Sequence, residues 1–521
     1  MTPLLRQPPG SGVPWWRRAL PAAGLLTLAL LLAGCASVQP AGDFQRMQQR
    51  VASVSPARLI WEADQADEAK VRQEVDQALA GGLTPDEAVA VALLNNRALQ
   101  ASFEEIGISR ADLVAAGLIE NPTLGALIRF PIAGEDSATD VELSASFPIS
   151  DLWQAPLKRE VAQATLERVT LEVGDMVLAT RRQARQAYNH LWYMQKIRVS
   201  QEKLLQDYEK LVAETARRQE FGYQTDLDLY LARDAAVSAR LALSRLDLEL
   251  AQARQALATS LGLPQLPRDL ALAGEPPRPS VAPLPWDQAV TLALGQRLDL
   301  QATKLRAAEA TRREALARSR VVREVRLGAN WERDTGGEQV LGPLVEADLP
   351  LFHQNQPEIA RAGFEARLAK KRLAALEGQV REELTTDLAS LQYLAESAQL
   401  LEEKVIPLRQ QAVAFAEVYA GRMQLDQLVL VTARKDLTAA HRELWQTRQA
   451  LADAWDDLEY HLGGRLPAGG PAPASPAAAP AGTQESRQEP GQGPGPQPGH
   501  EPSPAAGPPP AQMQMPPPEP Q

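Results

Sequence analysis

Two stretches of the chain carry one pattern twice: "LTPDEAVAVALLNNRALQA" (residues 83–101) and "LPWDQAVTLALGQRLDLQA" (residues 284–302). They lie 201 residues apart and align without a gap, so that an acidic residue near the start, a run of small apolar residues and a closing Leu-Gln-Ala recur. A second pair, "FPISDLWQ" at Phe147 and "LPLFHQNQ" at Leu349, follows at an offset of 202. A repeat of this length predicts two structural units built to one plan.

The bounds of these units follow from the repeat and from the prolines between its copies. The first unit is expected over residues 83–264 and the second over residues 284–464, with a Pro-rich linker at residues 265–283. Each unit opens with a helix, and in the first unit Thr84 and Glu87 have the spacing of a capping box.

In each unit the hydrophobic period then changes from helical to alternating, which is typical of strands. In "DVELSASF" (residues 140–147), for example, apolar residues alternate with Glu142 and with serines. One face of such a segment is apolar and the other is polar. The pattern predicts one β-hairpin in each unit, with strands over about residues 119–131, 140–148, 325–333 and 340–349.

A very long helix is predicted after each hairpin, at about residues 154–218 and 357–419, and apolar residues spaced by threes and fours along both indicate coiled-coil packing. Pro407 is expected to kink the second of these helices. Gly222 and Gly421 are the helix-turn glycines at which the long helices should end, each before a returning helix. The predicted fold class is therefore mainly α with a small β part, made of a duplicated helix–β-hairpin–long helix–helix unit.

The beginning of the chain is basic and is followed by an uncharged apolar run, a pattern that predicts a signal peptide over residues 1–34. Cys35, the only cysteine, closes "LAGC", which resembles the lipobox of bacterial lipoproteins. That resemblance implies cleavage before Cys35, lipidation of its thiol and new amino terminus, and a lipid-anchored protein of the bacterial outer membrane. The open alternative is an ordinary signal peptide with an incidental cysteine. Residues 35–82 would then form an N-terminal periplasmic segment.

Residues 465–521 are rich in Pro, Gly, Ala and Gln and have few large apolar residues, so a disordered tail is expected there. The net charge of −11 argues against a basic surface for nucleic acid. The five histidines have no metal-ligand spacing, and the common nucleotide-binding and hydrolase motifs do not occur. Neither an enzyme activity nor a cofactor or metal is therefore expected.

The order of the predicted elements, its repetition and the motifs at the turns resemble the TolC-like outer-membrane efflux proteins (outer membrane factors). The resemblance covers residues 83–464. Its motifs are "NPTL" at Asn121, "FPISDLW" at Phe147, "LPLFHQNQPEIARA" at Leu349 and "VIPLRQQAVAFAEVYAGRMQLDQL" at Val405.

The family implies a homotrimer. Four strands cannot close a membrane barrel alone, whereas three chains would form a 12-stranded β-barrel in the outer membrane, above a coiled-coil α-barrel in the periplasm. The implied function is a passive duct of a tripartite efflux system, with a periplasmic adaptor protein, an inner-membrane pump and outer-membrane lipid as partners.

In that family the two helix turns form a periplasmic aperture that acidic residues narrow. Three copies of one carboxylate at a constriction would favour cations. The alternative for each residue is a solvated charge at a helix end. The matching candidates are Asp226, Asp228 and Asp426, with Arg422 as a restraining contact.

The second candidate function is a non-conducting, lipid-anchored coiled-coil scaffold in the periplasm. Such a protein needs long helices but not hairpins with two different faces, so the four predicted strands argue against it. The sequence does not predict the transported substrate.

Overall fold

The protein is mainly α-helical with one small antiparallel sheet. The predicted signal peptide, Cys35 and the predicted tail lie outside the residues that the structure describes. The computed structural model describes residues 37–52, 58–62, 65–130, 139–277, 284–334, 336–421 and 427–464.

From α3 and from α7 onward, the two halves of the chain follow the same order of two short helices, a hairpin, a long helix and a returning helix. The first half contains α1 (Ala41–Ala52), α2 (Gln65–Ala80), α3 (Pro85–Asn95), α4 (Arg97–Gly117), β1 (Thr123–Arg129), β2 (Asp140–Pro148), α5 (Asp151–Glu220) and α6 (Asp226–Ser260). The second half contains α7 (Trp286–Gln296), α8 (Leu298–Ser319), β3 (Val325–Arg333), β4 (Gln339–Ala347), α9 (Gln356–Leu400), a π-helical turn (Leu401–Val405), α10 (Ile406–Gly421) and α11 (Gln427–His461).

The strands lie close to their expected positions, with two differences. β1 begins at Thr123 and not at residue 119, because Pro122 just before it has no N–H to donate to the sheet. β4 covers Gln339–Ala347 and stops before residue 349, next to Pro350. The capping box at the start of α3 forms as predicted, since Thr84 and Glu87 each accept the other's backbone N–H.

Pro407 does not end the second long helix. The helix instead widens into the π-helical turn directly before the proline and then continues as α10. Proline lacks an N–H, and its ring collides with the carbonyl four residues earlier, here that of Glu403 within the π turn. The expected irregularity is therefore present as a widened turn.

The helices form a single row. Next to the sheet the neighbours follow the order α4, α5, α8, α9, and farther from it α6 packs on α5, α5 on α11, and α11 on α9 and α10. The 70-residue α5 is an inner helix at both levels of this row and is about 105 Å long. None of the helices in the described part of the chain is both long and apolar enough to cross a membrane.

Helix α1 adds a second layer on one face of this row. Its Met47 and Val51 pack at Gly174 of α5, where an added Cβ would lie 3.0 Å from Leu298. Asp43 is fully buried and accepts two hydrogen bonds from the Arg110 guanidinium, at 2.5 and 2.6 Å. This ion pair fixes the beginning of α1 against α4.

Candidate functional site

The turn between α5 and α6 closes around Gly222. Its φ is +73°, in the left-handed region that favours glycine. The amides of Gly222 and Tyr223 donate to the carbonyls of Gln219 and Arg218, both at 2.9 Å, and so satisfy the end of α5. An added Cβ at Gly222 would meet nothing within 4 Å, so only the backbone conformation favours glycine here.

The two predicted aperture residues of this turn have different surroundings. The Asp228 carboxylate accepts the Thr225 N–H at 2.9 Å, and Thr225 in turn accepts the Asp228 N–H at 3.3 Å. Hydrogen bonds from the backbone and side chain of Thr225 lower the pKa of Asp228. The Asp226 side chain is exposed and accepts one hydrogen bond, from Gln219 at 2.8 Å. Asp228 thus completes a capping box, and Asp226 faces solvent.

The second predicted turn falls between α10, which ends at Gly421, and α11, which begins at Gln427. Arg422 and Asp426 fall outside the described residues, so their roles stay predictions. Behind this turn Arg434 of α11 pairs with Glu417 of α10 and with Asp207 of α5, both at 2.9 Å. Arg434 therefore ties the second helix pair to the first.

The α5–α11 seam, as we call the contact of these two helices, also holds buried charges. Arg181 and Arg185 both pair with Glu459, at 2.9 and 3.1 Å, and Arg185 also pairs with Asp456 at 3.1 Å. Burial raises the pKa of Asp456 to about 7 although Arg185 opposes the shift, and it raises the pKa of Asp453 to about 6. A proton taken up at these carboxylates reduces the excess negative charge of the seam.

The sheet has the order β1-β2-β3-β4, and its two faces differ sharply. The register places Ala126, Leu143, Trp331 and Leu341 side by side on one face. Large apolar side chains of this face stay exposed, with Leu124 81% and Leu341 73% exposed. None of the buried core clusters includes a strand residue among the described residues, so no part of the chain that the structure describes covers this apolar face.

The opposite face carries a polar network. Arg129 pairs with Asp140 and Glu142, and Asn330 donates to Glu142 at 3.1 Å. Arg326 donates to Ser146 at 3.1 Å and to the Thr123 hydroxyl. These cross-strand hydrogen bonds connect β1, β2 and β3 on a surface suited to contact with water.

The sheet and the helix row are both open at their sides. β1 and β4 each have one edge without a partner strand in the described chain, and α6 packs mainly on α5. Apolar residues along the outer helices are exposed, and most neighbouring pairs of them lie four, seven or eight residues apart, as in a coiled-coil seam without its partner. They are Tyr230, Val237, Leu241 and Leu248 on α6, and Phe364, Leu368, Tyr393, Leu400, Leu408 and Phe415 on α9 and α10.

Two glycines that the sequence analysis missed hold the returning helices in place. Gly262 and Gly463 follow α6 and α11, with φ of +71° and +74°. An added Cβ would lie 2.2 Å from the Asn95 carbonyl oxygen at Gly262 and 2.7 Å from the Arg297 nitrogen at Gly463. Their spacing of 201 residues equals that of the repeat, and this signal was present in the sequence.

In the residues that the structure covers, no group of three or more His, Cys, Asp or Glu side chains is arranged to hold a metal ion. The geometry instead combines a two-faced sheet, open edges and long paired helices, of which the first pair is joined by the turn at Gly222.

No protein-family model and no curated protein matches the sequence. Solved structures do match. CusC, described in connection with transmembrane channel formation, is 18% identical with a TM-score of 0.59 over 73% of this chain and 92% of its own. The outer membrane protein VceC from Vibrio cholerae is 18% identical with a TM-score of 0.56, over 78% of this chain and 98% of its own. The MtrE outer membrane channel from Neisseria gonorrhoeae is 18% identical with a TM-score of 0.58, over 73% of this chain and 88% of its own.

The chain has the fold of these outer-membrane channels. The resemblance inferred from the repeat and the turn motifs is thereby confirmed at the level of the fold.

Proposed function

We propose that the chain is the outer-membrane channel of a tripartite efflux system, a homotrimeric passive duct. One observation carries the proposal: a four-stranded sheet with an uncovered apolar face, a polar opposite face and two unpaired edges continues into a helix row with open sides. A monomeric soluble protein rarely exposes an apolar face or flat strand edges of this kind.

Assembly in a closed ring removes these exposed edges. β4 of one copy pairs with β1 of the next, and the apolar stripe of α6 meets that of α9 and α10. Three copies form a barrel of about twelve strands, within the range of outer-membrane barrels. The apolar face then contacts lipid, and the polar network around Arg129 and Arg326 faces the water-filled lumen.

The position of α1 supports the lipid anchor at Cys35. Asp43, near the start of α1, binds Arg110, which is seven residues before the end of α4 and thus about 10 Å from it along the helix. The beginning of α1 therefore lies toward the sheet. A second helix layer inside a ring would fill its lumen, so α1 lies on the outside.

At the other end of the helices, Asp226 and Asp426 narrow the periplasmic aperture, and Arg422 restrains the second turn. The exposed carboxylate of Asp226 supports its role. Asp228 supports the aperture indirectly, because its carboxylate is engaged in the cap of α6.

A periplasmic adaptor protein joins the helix turns to an inner-membrane pump, which selects the substrate and supplies the energy. The duct itself is passive in this proposal. The similarity of the fold to outer-membrane channels supports the assignment of the duct to this chain.

Reconstitution in planar bilayers tests the proposal. The purified full chain should form trimers with an ohmic, cation-preferring conductance. A monomer without conductance would instead favour the lipid-anchored scaffold. Incorporation of radioactive palmitate tests the anchor separately: label in the wild type that Cys35→Ser loses supports lipidation, and an unlabelled wild type contradicts it.

A further inference from the structure

A groove of about 710 Å³ lies where the helix row meets the sheet. The end of α4, the first turns of α5 and one residue of α8 form its walls. It shares Glu167 with a smaller cavity beneath Arg46 of α1, so it opens on the face of the row that carries α1. In the ring proposed above this is the outer face.

The part of the groove nearest the strands is apolar. Ile119 is 53% exposed and Leu152 is 66% exposed, although both are large apolar side chains. Ala155 and Pro156 continue this surface along α5. The apolar part therefore faces the level at which the strands would enter lipid.

Two guanidinium groups reach the groove at the same height. Arg159 is eight residues after the start of α5, and Arg312 is seven residues before the end of α8, so each stands about 10 to 12 Å from the sheet-side end of its helix. Within the described part of the chain, neither makes an ion pair. Two arginines that line one groove without an ion-pair partner can bind a phosphate group.

One carboxylate in the groove is also free to bind. Asp151 is engaged by Lys158 at 2.9 Å and by the Glu120 N–H at 3.2 Å, and although burial raises its pKa, these hydrogen bonds lower it overall. Glu167 accepts from Gln163 at 2.8 Å. Glu160, next to Arg159, has no hydrogen-bond or ion-pair partner among the residues that the structure describes.

We propose that this groove binds a phospholipid with a primary amine head group, of the phosphatidylethanolamine type. Arg159 and Arg312 bind the phosphate, Glu160 binds the ammonium, and the acyl chains pass over the apolar part toward the membrane. A zwitterionic head group satisfies both signs of charge, whereas a purely anionic lipid leaves Glu160 facing like charge. The proposal rests on the proposed function, because it requires the strands to lie in a membrane.

Native mass spectrometry of the detergent-solubilised full chain tests the site, with phosphatidylethanolamine or phosphatidylglycerol added. The wild type should retain one ethanolamine lipid per chain, and the double variant R159A/R312A should bind it on the order of tenfold more weakly. Arg318→Ala is the matched control, because Arg318 lies on α8 outside the groove and pairs with Glu314 at 2.6 Å. This control should bind lipid as the wild type does.

Glu160→Gln should keep the phosphate contact and lose the preference for ethanolamine over glycerol head groups. Equal lipid binding by R159A/R312A and the wild type, or displacement of the lipid by millimolar inorganic phosphate, would overturn the proposal. Equal binding of both lipids by the wild type would overturn the role of Glu160.

Bilayer conductance separates this inference from the proposed function. R159A/R312A should still form trimers and conduct. A wild type that retains the lipid but does not conduct would contradict the proposed channel function, and the proposed lipid site would still stand. If R159A/R312A conducts and binds lipid as the wild type does, the proposed lipid site is contradicted and the proposed channel function still stands.

Discussion

Asp456 makes the stability of the α5–α11 seam depend on pH. Its pKa is raised to about 7 by burial, so the folded chain favours the protonated carboxyl. The contribution of the protonated Asp456 carboxyl to the free energy of unfolding is fully present below the unfolded pKa of about 4, and it is lost as the pH rises through 7. Asp456→Asn should therefore raise the free energy of unfolding at pH 8 by about 2–4 kcal/mol and flatten its pH profile.

Thermal unfolding of the full chain in detergent at pH 5 and pH 8 measures this effect. Asp457→Asn is the control, because Asp457 is 35% exposed and pairs with Arg182 at the rim of the same helix face. It should keep the pH profile of the wild type. Equal profiles for Asp456→Asn and the wild type would contradict the assignment.

Gly262→Ala should destabilise the chain far more than Gly222→Ala. Both glycines have a positive φ, which costs a residue with a Cβ about 1–2 kcal/mol. Only at Gly262 does the Cβ also collide with backbone, 2.2 Å from the Asn95 carbonyl oxygen, so the total should exceed about 3 kcal/mol. Chemical denaturation compares the two variants. Similar losses would show that the contact with Asn95 is not rigid.

The residues also show how far local sequence patterns reach. "TDLD", which ends at Asp228, has the Thr-x-x-Asp spacing of a cap, so its capping role was readable from the sequence, although the sequence analysis assigned Asp228 only to the aperture. The pairing of buried Arg185 with Asp456 was not, because the two residues are 271 positions apart in the chain, and an amphipathic pattern does not state which helices meet.

At the scale of elements, the two faces of β4 should respond oppositely to charge. Leu341 lies on the apolar face beside Trp331, and its neighbour Val340 lies on the polar face opposite Glu332. Leu341→Lys should cost about 1–2 kcal/mol of membrane insertion per copy, because it places a charge toward lipid away from the midplane. Val340→Lys should be nearly neutral beside Glu332.

Folding into liposomes over a urea series measures both variants. A similar loss in both would contradict the assignment of the two faces. The strands themselves were predictable, since strict alternation is a strong local signal. The π turn before Pro407 was not, because the proline predicts an irregularity without predicting how the helix accommodates it.

At the scale of the whole molecule, the apolar stripe on α6 should carry assembly. Val237 lies in this stripe and is 67% exposed, whereas Val199, on the inner helix α5, is 63% exposed and has no such stripe. Val237→Asp should weaken each contact between copies on the order of 2 kcal/mol and release monomers on dilution. Val199→Asp should leave the mass unchanged in analytical ultracentrifugation. Loss of the assembly in both variants would place the contact elsewhere.

A carboxylate at the aperture should affect ion selectivity more when it is exposed than when it is engaged in hydrogen bonds. Asp226 is exposed and holds one hydrogen bond, while Asp228 is engaged by Thr225 in the cap of α6. In reconstituted trimers Asp226→Asn should therefore lower the cation-over-anion permeability ratio, by roughly twofold, since three copies of the charge are removed at once. Asp228→Asn should lower helix stability by about 1 kcal/mol and leave the ratio unchanged. An unchanged permeability ratio in Asp226→Asn would place the selecting charge outside this turn. Equal changes of the ratio in both variants would show that the capping carboxylate of Asp228 also contributes to ion selectivity.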